Sequence, residues 1–267
     1  MKRRISSVAC LWAIAALSVS CSATSSATGA LSASPASPAT GSSSITASPP
    51  GNSTAVFTVS GANPVSPNGS QDTHAATSNA ECDSARFSAD EAIGNEVAAG
   101  FSVSSFPAAA ALLTHFLKGE GTEIDYRPGS SISREALASG AFLTVNEKVQ
   151  GEIAVRLKAG DTRVLLSAAQ LPTVAFESTT SDLYWAFRGT QGLTMTGKGS
   201  RENGRYVGTL TYVIRDSYGF PADDTLAGFG PPMRYLQTVC GAPQHAGGAH
   251  WFPDAITVTV PFNRTVA

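Results

Sequence analysis

Asp216, Ser217, Tyr218, Gly219 and Phe220, followed by Asp223 and Asp224, form the densest run of potentially reactive groups in this 267-residue chain. Grouped carboxylates, often with a metal ion, orient water and offset charge on a phosphate during phosphoester cleavage. The competing reading is structural. A strand that ends here lets Asp216 accept hydrogen bonds from nearby backbone N–H groups while Tyr218 covers the sheet edge. Asp223 and Asp224 read as a solvated turn, because the alternating oxygen ligands and closing Glu of a calcium loop do not follow them.

Histidine chemistry is sparse. His245 and His250 lie five residues apart in the glycine-rich stretch Gly241 to His250, His74 lies far upstream and His115 falls in an apolar periodic segment. Two histidines begin a metal site without completing one, so no metal and no cofactor are expected. Nucleophile elbow, HExxH, Walker and dinucleotide-turn signatures are all missing from the sequence. Trp251 and Phe252, beside the glycine-rich stretch, are the expected contact surface; the alternative is that Trp251 plugs the core.

The four cysteines divide by position. Cys10 lies inside the apolar stretch from Val8 to Val19, which follows the cationic start Lys2, Arg3, Arg4. Cys21 closes the run Leu17, Ser18, Val19, Ser20, Cys21. This arrangement resembles the bacterial lipoprotein signal, whose Cys thiol receives a diacylglycerol before cleavage on its N-terminal side. The resemblance implies residues 1–20 as a signal peptide, Cys21 as the lipidated N-terminus, and a protein held extracytoplasmically on the cell membrane. Cleavage near Ala23 with secretion, and an uncleaved membrane anchor, are the other outcomes. Cys82 and Cys240 remain, an even pair in an exported chain, and are expected to form a disulfide.

A second resemblance concerns the Asp216 run. The stretch from Leu193 through Phe220 is similar to the C-terminal β domain of colicin M-type toxins, which cleave the lipid II precursor at its phosphate linkage. Those toxins carry Asp-x-Tyr-Asp at a strand end, followed by His-Arg. Asp216 and Tyr218 match by position, Gly219 stands where the second Asp would be, and no His-Arg follows. The resemblance implies Asp216 and Tyr218 as catalytic groups of an envelope hydrolase. The leading expectation is instead a binding or contact module with an unknown envelope protein or ligand as partner.

Charge separates two materials. No Asp, Glu, Lys or Arg occurs from Ile5 through Gln71, where Ser, Ala, Thr, Pro and Gly dominate after the apolar stretch. Residues 21–81 are therefore expected to be a disordered tether; its one apolar island, Ala55 to Ser60 with Val56, Phe57 and Val59, is expected to share that disorder, the alternative being an extra edge strand. Residues 82–267 have the composition and length of one disulfide-closed domain. A net charge of −2, with no Lys/Arg cluster beyond the first residues, leaves nucleic acid without an electrostatic footprint.

The elements that must position these groups read as α+β: two or three N-terminal helices, then a mainly antiparallel sheet forming a sandwich or partly closed barrel. Ser88 to Glu91 is a capping box for a helix ending at Gly100. Pro107 opens a second helix with Ala109, Leu112, Leu113, Phe116 and Leu117 on its core face, and a short third helix spans Arg134 to Ser139. Leu143, Val145, Ile153, Val155, Leu157, Val164 and Leu166 alternate as strands, with a turn at Ala159 to Asp161. Asn203-Gly204 makes a two-residue hairpin turn whose register opposes Glu202 to Arg205 and Leu193 to Ile214. Phe176, Tyr184, Trp185 and Phe187 suggest another strand pair joined through Thr179 to Asp182. A last strand carries Ile256, Val258, Val260 and Phe262.

Overall fold

Asn203 and Gly204 adopt positive φ (47° and 74°) and join two long paired strands, β4 (Gly192–Glu202) and β5 (Arg205–Tyr218). Their register is the expected one, from Glu202 opposite Arg205 to Leu193 opposite Ile214. Leu193, Met195, Leu210, Tyr212 and Ile214 are consequently buried on one face, while Thr196, Lys198 and Thr209 are exposed on the other. β6 (Phe252–Thr265) pairs antiparallel along all of β5. The computed structural model describes residues 56–63, 80–157, 162–221, 226, 228–241 and 248–265. Cys10, Cys21, His74, Ala159 to Asp161, Asp223, Asp224 and His245 lie outside the described residues.

Among the described residues the sheet is open and mixed, with six strands ordered β2-β6-β5-β4-β1-β3. This corrects the expectation of a mainly antiparallel sandwich or barrel. The antiparallel centre is flanked by parallel pairings: β2 (Ile124–Tyr126) with β6, and β3 (Arg163–Leu166) with β1 (Val56–Asn63). β1 corrects the expected tether over Val56–Asn63. It is paired on both sides, antiparallel to β4 and parallel to β3, and buries Phe57 and Val59. A short apolar alternation suffices when a ready-made edge accepts it. Gly199 on β4, opposite Gly208 on β5, leaves room for the Phe57 ring. A Cβ on Gly199 would lie 2.5 Å from Phe57 Cζ.

Among the described residues helices lie between the strands and not only before the sheet. α1 (Ser84–Val103) begins four residues before the expected capping box. Asp83 Oδ1 accepts from the Arg86 N–H, whereas the Ser88 hydroxyl donates to the Ser84 carbonyl within the helix. Gly100 does not stop it; buried, it lets the helix run on to Val103. α2 (Pro107–Leu117) has the expected start and core face, all five named apolar residues being buried. α3 (Ser131–Ala138) is capped by Ser130.

Two expected strand regions are helices. Gly140–Arg156 forms α4, capped by the Ser139 hydroxyl accepting from the Phe142 N–H. Phe142, Val145, Val149 and Ile153 are buried at helical spacing, while Leu143 and Val155, expected inward, are 51% and 75% exposed. Val164 and Leu166 do lie on a strand, β3, with both side chains buried. Asp182–Phe187 forms α5, so Tyr184, Trp185 and Phe187 belong to a helix and not to a strand pair. Ser181 accepts from the Leu183 N–H and starts that helix where a hairpin turn was expected. α6 (Gly230–Thr238) lies between β5 and β6.

Cys82 and Cys240 are bonded across 158 residues, joining the approach to α1 to the end of α6. Beside the bond, the Asp83 N–H donates to the Tyr235 hydroxyl, and the Arg86 guanidinium stands 3.6 Å from the centre of the Tyr235 ring. A loop of this length gives about 5 kcal/mol in the chain-entropy account of cross-links.

Candidate functional site

Strand parity carries Asp216 and Tyr218 to the covered face at the end of β5, continuing Leu210, Tyr212 and Ile214. The β5–β6 register then sets Asp254 directly opposite Asp216, and Phe252 directly opposite Tyr218. Asp216, Tyr218, Phe252 and Trp251 therefore come together at one end of the sheet. Cys82 and Cys240 are bonded on the helical side, and Cys21 lies outside the described residues.

The two aromatic residues at the end of the ladder are structural. Tyr218 is 8% exposed and stacks on Phe252 at 5.5 Å, with Phe116 and Phe220 edge-on to it. Phe252 is fully buried and packs against the His115 ring at 4.4 Å, which corrects its place on an exposed contact surface. β6 begins at Phe252, and the apolar parity of Ile256, Val258, Val260 and Phe262 extends back to it. Trp251 is half-buried and stacked on His250. His115 bonds through its two ring nitrogens to the Thr122 carbonyl and the Glu120 carboxylate.

The carboxylates are placed differently. Asp254 is 1% exposed, and neither of its carboxylate oxygens has a hydrogen-bond partner among the described residues. Asp216 is half-buried and accepts from the Ser217 N–H at 2.9 Å. Burial pushes the Asp216 carboxyl up to about 7, against the smaller downward pull of the Ser217 N–H and the Arg188 guanidinium. Asp254 is held well above the ordinary carboxylate range, first by burial and then by the Asp216 charge.

Two further groups complete the surroundings. Asp182, at the start of α5, accepts from the Ala108 N–H at 2.8 Å and the Ala109 N–H at 2.9 Å. It thereby caps α2 from a distance, because Phe106 supplies no local side-chain cap. Burial, the leading influence, raises the Asp182 carboxyl even though both amides pull it down. Tyr126 on β2 packs edge-on against Phe187, and its phenol is raised by burial, then by Asp254 and Asp182.

Asp254, Asp182 and Tyr126 were missed at the level of sequence. For Asp254 a signal existed: it shares the parity of Ile256, Val258, Val260 and Phe262, so an alternation continued one step upstream points a carboxylate into the covered face. Asp182 had no comparable signal, since its partners lie more than 70 residues away.

Among the described residues no group of three His, Cys, Asp or Glu side chains is arranged to hold a metal ion. The groups brought together are two carboxyls able to hold a proton, beside an aromatic wall. A second aromatic cluster is half-buried: Phe101 faces Trp185 at 5.4 Å, Phe106 at 6.3 Å and Phe229 at 6.3 Å. No family model, curated protein or solved structure matches this chain.

Proposed function

We propose that this is an exported bacterial envelope protein, anchored through lipid on Cys21, whose α+β domain acts by binding a partner. The Cys82–Cys240 bond is the observation that carries the reading, because such a bond persists where the compartment is oxidising. The cationic start, the apolar stretch and Cys21 supply the address. A contact role is supported by the half-buried rings of Phe101, Phe106, Trp185 and Phe229, since aromatic residues combine contact area with little conformational entropy to lose. Tyr218 and Phe252, by contrast, are committed to the core.

Cell fractionation of wild type and Cys21→Ala tests the anchor. Wild type is expected with the membranes and the variant free of them; wild type recovered from the medium would contradict the anchor. Photo-crosslinking from position 185 or 251 in cells tests the contact role. A discrete adduct of higher mass is expected, and its absence at both positions would count against binding through these aromatic surfaces.

A second reading, an envelope hydrolase acting on a phosphate-containing lipid precursor, is favoured by one observation. Asp254 gives Asp216 the carboxylate partner that Gly219 does not supply. Phosphate release from such a lipid by wild type, abolished in Asp216→Asn, would establish that reading. Release no greater than the blank, with and without divalent cations, is the result the binding role predicts.

A further inference from the structure

The described residues contain three buried side-chain oxygens without a hydrogen-bond partner, and all belong to one end of the sheet. Two are the carboxylate oxygens of Asp254; the third is Gln191 Oε1. Gln191 donates its backbone N–H to the carbonyl of Arg215, the residue before Asp216. A buried acceptor without a donor is costly, and the cost at Asp254 falls when a proton supplies the donor.

The charged surroundings favour a proton here. Directly opposed residues on antiparallel strands bring their Cβ atoms to about 5 Å, and like charges so placed repel. Arg188, just past α5, reaches Asp216 with its charge, while Asp182 on α5 acts with Asp254 on Tyr126 and is occupied by the amides of α2. From the β2 side the pair faces Tyr126 and the Glu123 carboxylate, the latter paired to Arg215. α3 contributes Glu135, which acts on Asp182 and accepts from Ser181. α2 contributes His115, which is held by Glu120 and packed on Phe252. The groups acting on Asp254 from outside its own residue, Asp216 and Glu123, are both negative.

We propose that Asp216 and Asp254 hold one proton between them and that this proton latches the β5–β6–β2 end of the sheet, closed in acid and released as pH rises. The protonated carboxyl donates to its neighbour; loss of the proton leaves two facing carboxylates. β2 is the element to respond, because this three-residue edge strand pairs with β6 at Ile124 opposite Asp254 through Tyr126 opposite Ile256. This latch is independent of the binding role and of the anchor.

Both carboxyls are raised above the ordinary Asp value of 3.8 in the folded state. Their contribution to stability is therefore complete below that value and is lost as pH climbs, through about 7 for Asp216 and in the same direction for Asp254. Thermal unfolding of the full chain, with the disulfide intact, at about pH 5, 7 and 9 and constant ionic strength tests the latch. Wild-type Tm is expected to fall by several degrees across the series, and Asp254→Asn to flatten that fall and exceed wild type at the alkaline end. Equal pH slopes in the two proteins, or no wild-type slope, would overturn the proposal.

Backbone hydrogen exchange, corrected for its intrinsic pH dependence, is expected to quicken at Ile124–Tyr126 in wild type alone. Should Asp254→Asn not fold, infrared spectra of wild type decide. A protonated-carboxyl band at neutral pH that disappears in alkali supports the latch, and its absence at neutral pH overturns it. A Tm rise with calcium or magnesium chloride at alkaline pH, present in wild type and absent in Asp216→Asn, would overturn it in favour of a cation between the carboxylates.

Discussion

The two ends of the β5–β6 ladder are built on the same pairing and filled in opposite ways. Near the hairpin, Tyr206 and Phe262 meet Phe57 of β1 at ring-centre distances of 5.2 and 6.0 Å, in a buried aromatic cluster. At the far end the same parity delivers Asp216 and Asp254, backed by Tyr218 stacked on Phe252. Aromatic pairs of the first kind contribute roughly 0.5–1.5 kcal/mol beyond the area they bury, and none of that gain rests on a carboxyl proton. A carboxyl pair of one buried and one half-buried member adds no such gain and ties stability to proton concentration. One end holds the sheet and the other makes its hold conditional.

The largest expected effect breaks the hairpin end. Phe57→Ala removes a fully buried ring packed on Tyr206 and Phe262 and is expected to cost about 3–5 kcal/mol in chemical denaturation, alike in acid and alkali. A loss below 1 kcal/mol, roughly the scale of a surface change, would mean that β1 contributes little to the sheet. Next, Asp182→Ala acts at the carboxylate end by leaving the buried N–H groups of Ala108 and Ala109 without acceptors, for about 1–3 kcal/mol. Because burial raises Asp182, part of that loss should shrink as pH rises; a loss that grows with pH would contradict the charge balance described. The smallest effect belongs to a control away from both ends. Leu143→Ser on α4 should change stability by no more than about 0.5 kcal/mol, whereas a core residue of a strand would cost several times as much.

That control also marks where the sequence was readable. The β4–β5 hairpin was legible to the residue, because a two-residue turn fixes register and register assigns every side chain to a face. α2 was legible for a related reason: Pro107 and the spacing of Leu112, Leu113 and Phe116 agree on one structure. In α4 the apolar residues satisfy two periods at once. Leu143, Val145, Ile153 and Val155 alternate, yet Phe142, Val145, Val149 and Ile153 make the helical face that the fold uses. The cap at Ser139 was the deciding local signal.

β1 was hidden by its surroundings, since a strand of eight residues in a Ser/Thr-rich region shows its worth only beside β4 and β3. The candidate site was half legible. Asp216 and Tyr218 stood out by type, but the partner that gives Asp216 its character comes from β6, 38 residues later, and only strand pairing brings it there. Phe252 was misplaced because its neighbours Trp251 and Gly248 suggested a loop, while its parity with Ile256 put it in the core.

Intact mass of the protein recovered from membranes, before and after thiol reduction, tests the central claim most directly. The account predicts a chain beginning at Cys21 with a diacylglycerol on its thiol, gaining two hydrogen atoms on reduction as the Cys82–Cys240 bond opens. A chain starting near Ala23 without lipid, or one whose mass does not change on reduction, would contradict it.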